Sequence, residues 1–143
     1  MKTIIKCDKD DYDVLAGIWE RSVRASHFFL SEEVINEIRE ALIPDYFPNV
    51  DLYAVSADGG QLAGFIGLSE RKIEMLFIDS HCRGLGYGSM LLEFAGRQGA
   101  VEVDVNEQNP SALAFYRANG FKIKGRDETD EAGRPYPILH LSL

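Results

Sequence analysis

The sequence predicts a single-domain α/β fold over residues 1–143, a mixed, mostly antiparallel sheet with helices on both faces. Three observations predict it. Apolar residues recur at helical spacing in four stretches, seven short runs carry strand patterning, and the two kinds alternate as β-α-α-β-β-β-α-β-α-β-β. A chain of 143 residues suits one buried core.

Each element has its own signal. KTIIKC reads as the opening strand, with DKDD as cap material before Leu15, Ile18, Trp19 and Val23 at helical spacing. Ser31 with Glu32 and Glu33 starts a second helix, where the acids face the positive end of the helix dipole; Val34, Ile38 and Leu42 continue its apolar stripe, and Pro44 and Pro48 close it. LYAVSA, the turn DGGQ and LAGFIGLS form a hairpin, and KIEMLFID adds a third strand to an antiparallel meander. After Gly88 a helix carries Met90, Leu91, Phe94 and Ala95 and ends near Gly99. VEVDVN alternates valine with polar residues, and Asn109-Pro110 opens a helix that ends at Asn119-Gly120. FKIKGR and YPILHLSL, separated by the turn-rich DEAGRP, make the last hairpin.

Composition narrows the function. The formal charge of −8 argues against nucleic acid as a partner, because phosphate backbones reward clustered Lys and Arg; it is compatible with a cationic substrate. The longest uncharged apolar run, LAGFIGL, is far shorter than a membrane span, and the first residues lack the apolar core of a secretory signal. The expectation is a cytoplasmic protein that does not associate with membranes. Cys7 and Cys82 stand far apart without metal-ligand spacing, so free thiols and no metal are expected.

The stretch DSHCRGLGYGSMLLEFA, residues 79–95, concentrates the chemistry. It follows a strand and opens a helix whose first amides lack intrahelical acceptors, so they can donate to an anion that the helix dipole also favours. Gly84, Gly86 and Gly88 remove the β-carbons that would hold a pyrophosphate away, and Arg83 adds a charge. Competing phosphate motifs fail on spacing. A dinucleotide fingerprint needs glycine where Ser89 stands, and a Walker loop needs Gly-Lys-Ser/Thr. A glycine-eased turn without a ligand stays open beside this reading.

Arg83-Gly84-Leu85-Gly86-Tyr87-Gly88 resembles the Arg/Gln-x-x-Gly-x-Gly/Ala signature of the GCN5-related N-acetyltransferases. Asn109-Pro110-Ser111-Ala112-Leu113-Ala114-Phe115-Tyr116-Arg117-Ala118-Asn119-Gly120-Phe121 is similar to the family's Asn-x-x-Ala-x-x-Phe-Tyr-x-x-x-Gly-Phe segment. More narrowly, SVRASHFFLS, VNEQN, GFKIKGR and DEAGRPYPILHL resemble the small bacterial YjaB-like acetyltransferases.

The resemblance implies acetyl-CoA as co-substrate, held by Leu76, Phe77 and Ile78, by the run Arg83, Gly84, Leu85, Gly86, Tyr87, Gly88 and Ser89, and by Asn109 and Tyr116. It also implies that the strand carrying Leu76 and the strand VEVDVN splay apart. A lysine-like amine, with a pKa of roughly 10.4, must lose a proton before attacking the thioester, so a base is required. The resemblance places the backbone N–H of Leu76 as oxyanion donor and Tyr116 as the acid that protonates the departing thiolate. Spacing alone reads Tyr116 as a core residue, since Leu113 and Tyr116 sit at i, i+3. Glu74, expected to share a strand face with Lys72 and Leu76, is the candidate base, with a solvated edge carboxylate as the plainer reading.

Asp104 and Asn106 are candidates to order a water chain. His27, which titrates near neutrality in the ordinary case, Phe28 and Tyr46 are candidates for the acceptor wall. Cys82 beside Arg83 offers an acetyl-cysteine route that lacks a partner base, and His81 and His140 read as structural. The expected acceptor is an amine on a small molecule, a polyamine, a peptide or a protein, and the expected state is a monomer or homodimer. A CoA-binding sensor or partner-binding module without turnover is the alternative from a different class.

Overall fold

The computed structural model describes residues 2–143, and the chain falls into two compact units, Met1–Ala100 and Val101–Leu143. The element order is the one expected from the sequence, with short 3-10 and π turns added.

In the first unit, strand β1 (Thr3–Lys6) is followed by a tight turn that Asp8 organises: its carboxylate accepts from the Asp10 N–H, and its own N–H donates to Asp11. This reciprocal cap launches helix α1 (Tyr12–Ser26), which buries Leu15, Ala16, Ile18, Trp19 and Val23 along one stripe. Helix α2 (Glu32–Ala41) begins at Ser31, whose hydroxyl accepts from the Val34 N–H at 3.2 Å. Its buried residue is Ile35, which the expected stripe of Val34, Ile38 and Leu42 passed over. Arg24 bridges Glu20 and Glu32, and Arg39 also reaches Glu20, so charges tie the two helices together.

Strands β2 (Asp51–Ser56), β3 (Leu62–Ser69) and β4 (Lys72–Ile78) form the antiparallel meander, with β1 on the far side of β2. Alternation along the strands sends Leu52, Ala54 and Phe65 into the core with α1 and α2. Phe65 meets Phe47 and Phe77, each with ring centroids 5.8 Å apart, and Trp19 meets Phe77 edge-on. Tyr53 points the other way, against Phe94 of helix α3 (Tyr87–Arg97), whose Leu91 and Ala95 are fully buried.

The second unit contains strand β5 (Glu102–Asn106), helix α4 (Pro110–Ala118) and strands β6 (Lys122–Asp127) and β7 (Ile138–Ser142). β7 lies between β5 and β6, antiparallel to both. Val103, Val105, Leu139, Leu141, Tyr116 and Phe121 are buried in it. The loop between β6 and β7 is closed by Asp130, which accepts from the Arg134 N–H and pairs with its guanidinium.

Candidate active site

The phase of the β3–β4 ladder decides where the main chain of β4 faces. The Asp79 N–H donates to the Ala63 carbonyl at 2.8 Å, which makes that pair a hydrogen-bonded one. Bonded pairs alternate in an antiparallel ladder, so Phe77 and Met75 also bond to β3. Leu76 and Ile78 therefore turn their N–H and C=O groups toward the opposite edge of β4. This is the orientation their expected roles require.

The register of β4 skips one residue. Gly67 lies opposite Met75 and Leu68 opposite Ile73, which leaves Glu74 as the extra residue of a β-bulge. The expectation that Glu74 shares a face with both Lys72 and Leu76 is thereby corrected: the bulge breaks the alternation and puts Lys72 and Leu76 on opposite faces. The Glu74 carboxylate is partly exposed and lies 3.9 Å from Lys72 Nζ.

After β4 the chain makes a short turn, Ser80–Cys82, and enters the glycine loop. Gly86 caps α3 in the left-handed region at φ +87°, and Gly84 has φ +75°. A Cβ at either glycine would meet no atom within 4 Å, so the space above the loop is open. No side chain among the described residues caps the start of α3, which leaves the amides of Tyr87, Gly88 and Ser89 directed outward. Two features of the loop were missed from the sequence. Lys2 donates to the Leu85 carbonyl at 2.8 Å and stands 4.7 Å from the centre of the Tyr87 ring. Asp79, buried, is gripped by Arg21 of α1.

His27 ends α1 against Phe29 and against Phe77 of β4, with ring centroids 5.5 and 6.3 Å away, and its Nδ1 is 2.8 Å from Ser26 Oγ. Burial, with the Arg83 charge acting in the same sense, pushes its pKa down to about 4. His27 is thus a neutral imidazole at physiological pH, and its expected titration near neutrality is corrected. Phe28 beside it is 83% exposed, and Tyr46, on the turn that follows α2, is also exposed. Burial and the Asp79 carboxylate raise the Cys82 thiol pKa, which removes the basis for a thiolate nucleophile. Both cysteines are free.

In the second unit, Asn109 caps α4 by accepting from the Ala112 N–H at 3.2 Å. Tyr116 is buried between Phe115 and Phe121, and burial raises its pKa well above the ordinary phenol value. Its proton stays in place throughout the neutral range, so Tyr116 can donate and cannot serve as a base. Asn106 accepts from the Gln108 N–H in a turn, and Asp104 sits 2.7 Å from His140. His140 also contacts Asp127 at 2.7 Å, so one imidazole links all three strands of the unit. Among the described residues, no group of three or more His, Cys, Asp or Glu could hold a metal ion.

Residues 49–123 match the Acetyltransferase (GNAT) domain. The chain is 39% identical over 142 residues to the peptidyl-lysine N-acetyltransferase YjaB of Salmonella typhimurium, covering 99% of this chain and 97% of that one. It aligns with the solution structure of apo YjaB from Escherichia coli at a TM-score of 0.90 and 38% identity, over 99% of this chain and 97% of that one. A likeness in fold alone, with a TM-score of 0.72 at 21% identity over 100% and 99% of the two chains, relates it to the PaiA N-acetyltransferase of Thermoplasma acidophilum in complex with coenzyme A. The chain belongs to the GCN5-related N-acetyltransferase family, among its YjaB-like members. It is an N-acetyltransferase.

Proposed function

We propose that residues 1–143 act as one domain that transfers acetyl from acetyl-CoA to the side-chain amine of a lysine in a peptide or protein. The observation that supports this most is the combination of a left-handed Gly86, open space above it and an uncapped α3, which together fit a pyrophosphate. The lysine acceptor follows the name of the Salmonella typhimurium relative, and it agrees with a chain of charge −8. Acetyl-CoA supplies the acetyl group as an activated thioester.

The residues divide the work. The amides of Tyr87, Gly88 and Ser89 and the Arg83 guanidinium bind the phosphates; Phe77, Leu85 and Asn109 line the co-substrate, and the Ile78 main chain orients its arm. The Leu76 N–H donates to the negative charge that develops on the acetyl oxygen. Glu74 takes the proton from the attacking amine, directly or through a water held at the bulge, and Tyr116 gives its hydroxyl proton to the departing sulfur and regains one from solvent. His27, Phe28 and Tyr46 form the acceptor wall, where neutral His27 and the aromatic rings pack the lysine methylenes without repelling its charge. Residence in the cytoplasm and a monomeric or homodimeric state belong to the same proposal.

The test is thiol release from acetyl-CoA with a lysine-containing peptide and with the same peptide carrying Nε-blocked lysine. Release with the first alone, together with an acetyl mass increment on the lysine, is the expected result. Equal release with both peptides would refute the lysine assignment.

A further inference from the structure

We propose that Arg21 and Asp79 form a clamp that positions the glycine loop for acetyl-CoA, which makes Arg21 of the first helix a positioning residue for the co-substrate. The inference rests on the reading of that loop as the pyrophosphate site.

Every polar group of Asp79 is engaged at the junction between β4 and the loop. Its N–H donates to the Ala63 carbonyl at 2.8 Å, and its carbonyl accepts from the Cys82 N–H at 2.9 Å. The carboxylate, only 3% exposed, takes the Arg21 guanidinium in a fork: Nε lies 3.0 and 3.2 Å from the two oxygens, and Nη2 lies 2.8 Å from Oδ2. His81 Nδ1 adds a contact at 3.3 Å. One residue thus joins the sheet, the turn that leads to Arg83 and Gly84, and helix α1.

The helix is built to deliver that guanidinium. Arg21 lies one turn beyond Gly17, and a Cβ at Gly17 would stand 3.1 Å from Arg21 Nη1. The missing side chain lets the arginine fold along its own helix toward Asp79. Without Arg21 the buried carboxylate would keep only the Ser80 N–H and an exposed histidine, with no fixed cation beside it. A buried, uncompensated charge moves toward water, and here it would carry the turn and the first residues of the loop with it. Half of the Arg21 side chain is exposed, so the pair matters more for where it holds the loop than for folding stability.

Calorimetric titration with CoA of wild type, Gly86→Val, Arg21→Gln, Arg21→Lys and Gly17→Ala tests this, with steady-state kinetics on the same proteins. Arg21→Gln is expected to weaken CoA about tenfold and to raise KM for acetyl-CoA in proportion, with kcat changed less than about twofold. Arg21→Lys recovers part of the affinity, because an ammonium keeps one charge-assisted bond and loses the fork. Gly17→Ala displaces only Nη1, which lies outside the fork, and is expected to change CoA affinity less than about twofold; a larger loss there would overturn the assignment of the hold to the fork. Unchanged CoA affinity in folded Arg21→Gln, or in Arg21→Lys should Arg21→Gln fail to fold, overturns the clamp. Failure of wild type to bind CoA, or undiminished binding by Gly86→Val, overturns the loop assignment itself.

Discussion

At Gly64 a Cβ would stand 2.5 Å from Ile78 Cδ1 and 2.8 Å from the Phe77 carbonyl oxygen. The main chain of β4 is therefore pressed against β3 just where Ile78 turns its amide outward, and a larger residue would force a shift there. Gly64→Ala should cost about 1–3 kcal/mol in urea unfolding and weaken CoA binding as well, since relief of the clash displaces Ile78. Unaltered stability would show that β3 yields at that point. Nothing in the run LAGFIGLS separates Gly64 from Gly67 as the tighter contact; only the register does. Tyr116 stood out through the family motif, and its burial explains why spacing alone makes it a core residue: it is one, and the proposed acid role asks only for its hydroxyl. Tyr116→Phe should lower kcat about a hundredfold with KM for acetyl-CoA changed less than twofold. An undiminished kcat would remove Tyr116 from the acid role.

Among the elements, period and turn chemistry were readable and local irregularity was not. Helix α4 could be placed by Asn109-Pro110 at one end and Asn119-Gly120 at the other, because a cap and a left-handed stop are written in residue types. The β-bulge at Glu74 has no such signature. Strict alternation then misassigns the faces of Lys72 and Leu76. The three strands of the second unit also share a link that only the register reveals. Asp104, Asp127 and His140 lie on different strands, and the hydrogen bonds to the two carboxylates raise the His140 pKa above its unfolded value. A raised histidine pKa means that this stabilisation is fully present below the unfolded value of about 6.5 and is lost as pH rises through the folded pKa. Wild-type stability, followed by denaturant unfolding, should contain a component that declines across that interval, and His140→Gln should lack it. Identical pH slopes in the two proteins would contradict the network.

Across the whole molecule, the two histidines act in opposite senses. His27, pushed down to about 4, contributes stability above an unfolded pKa of about 6.5, and that contribution is lost as pH falls toward 4. His27→Gln should therefore flatten the acid side of the stability profile, as His140→Gln flattens the other side. The charge of −8 predicts a further property: kcat/KM for a lysine-rich peptide should fall with ionic strength more steeply than for a peptide whose only cation is the acceptor lysine. The order of strands and helices was legible from end to end, because periodicity and breakers are local. The pairing of Arg21 with Asp79 was not, since 58 residues separate them and each alone reads as an ordinary surface charge. The central claim is that the bare backbone of the glycine loop holds the co-substrate. The most direct measurement is calorimetric titration of acetyl-CoA into wild type and Gly86→Val at matched stability. Saturable binding by wild type that falls at least about tenfold in the variant is the predicted result. Equal affinities in the two proteins, or no binding by wild type, would contradict it.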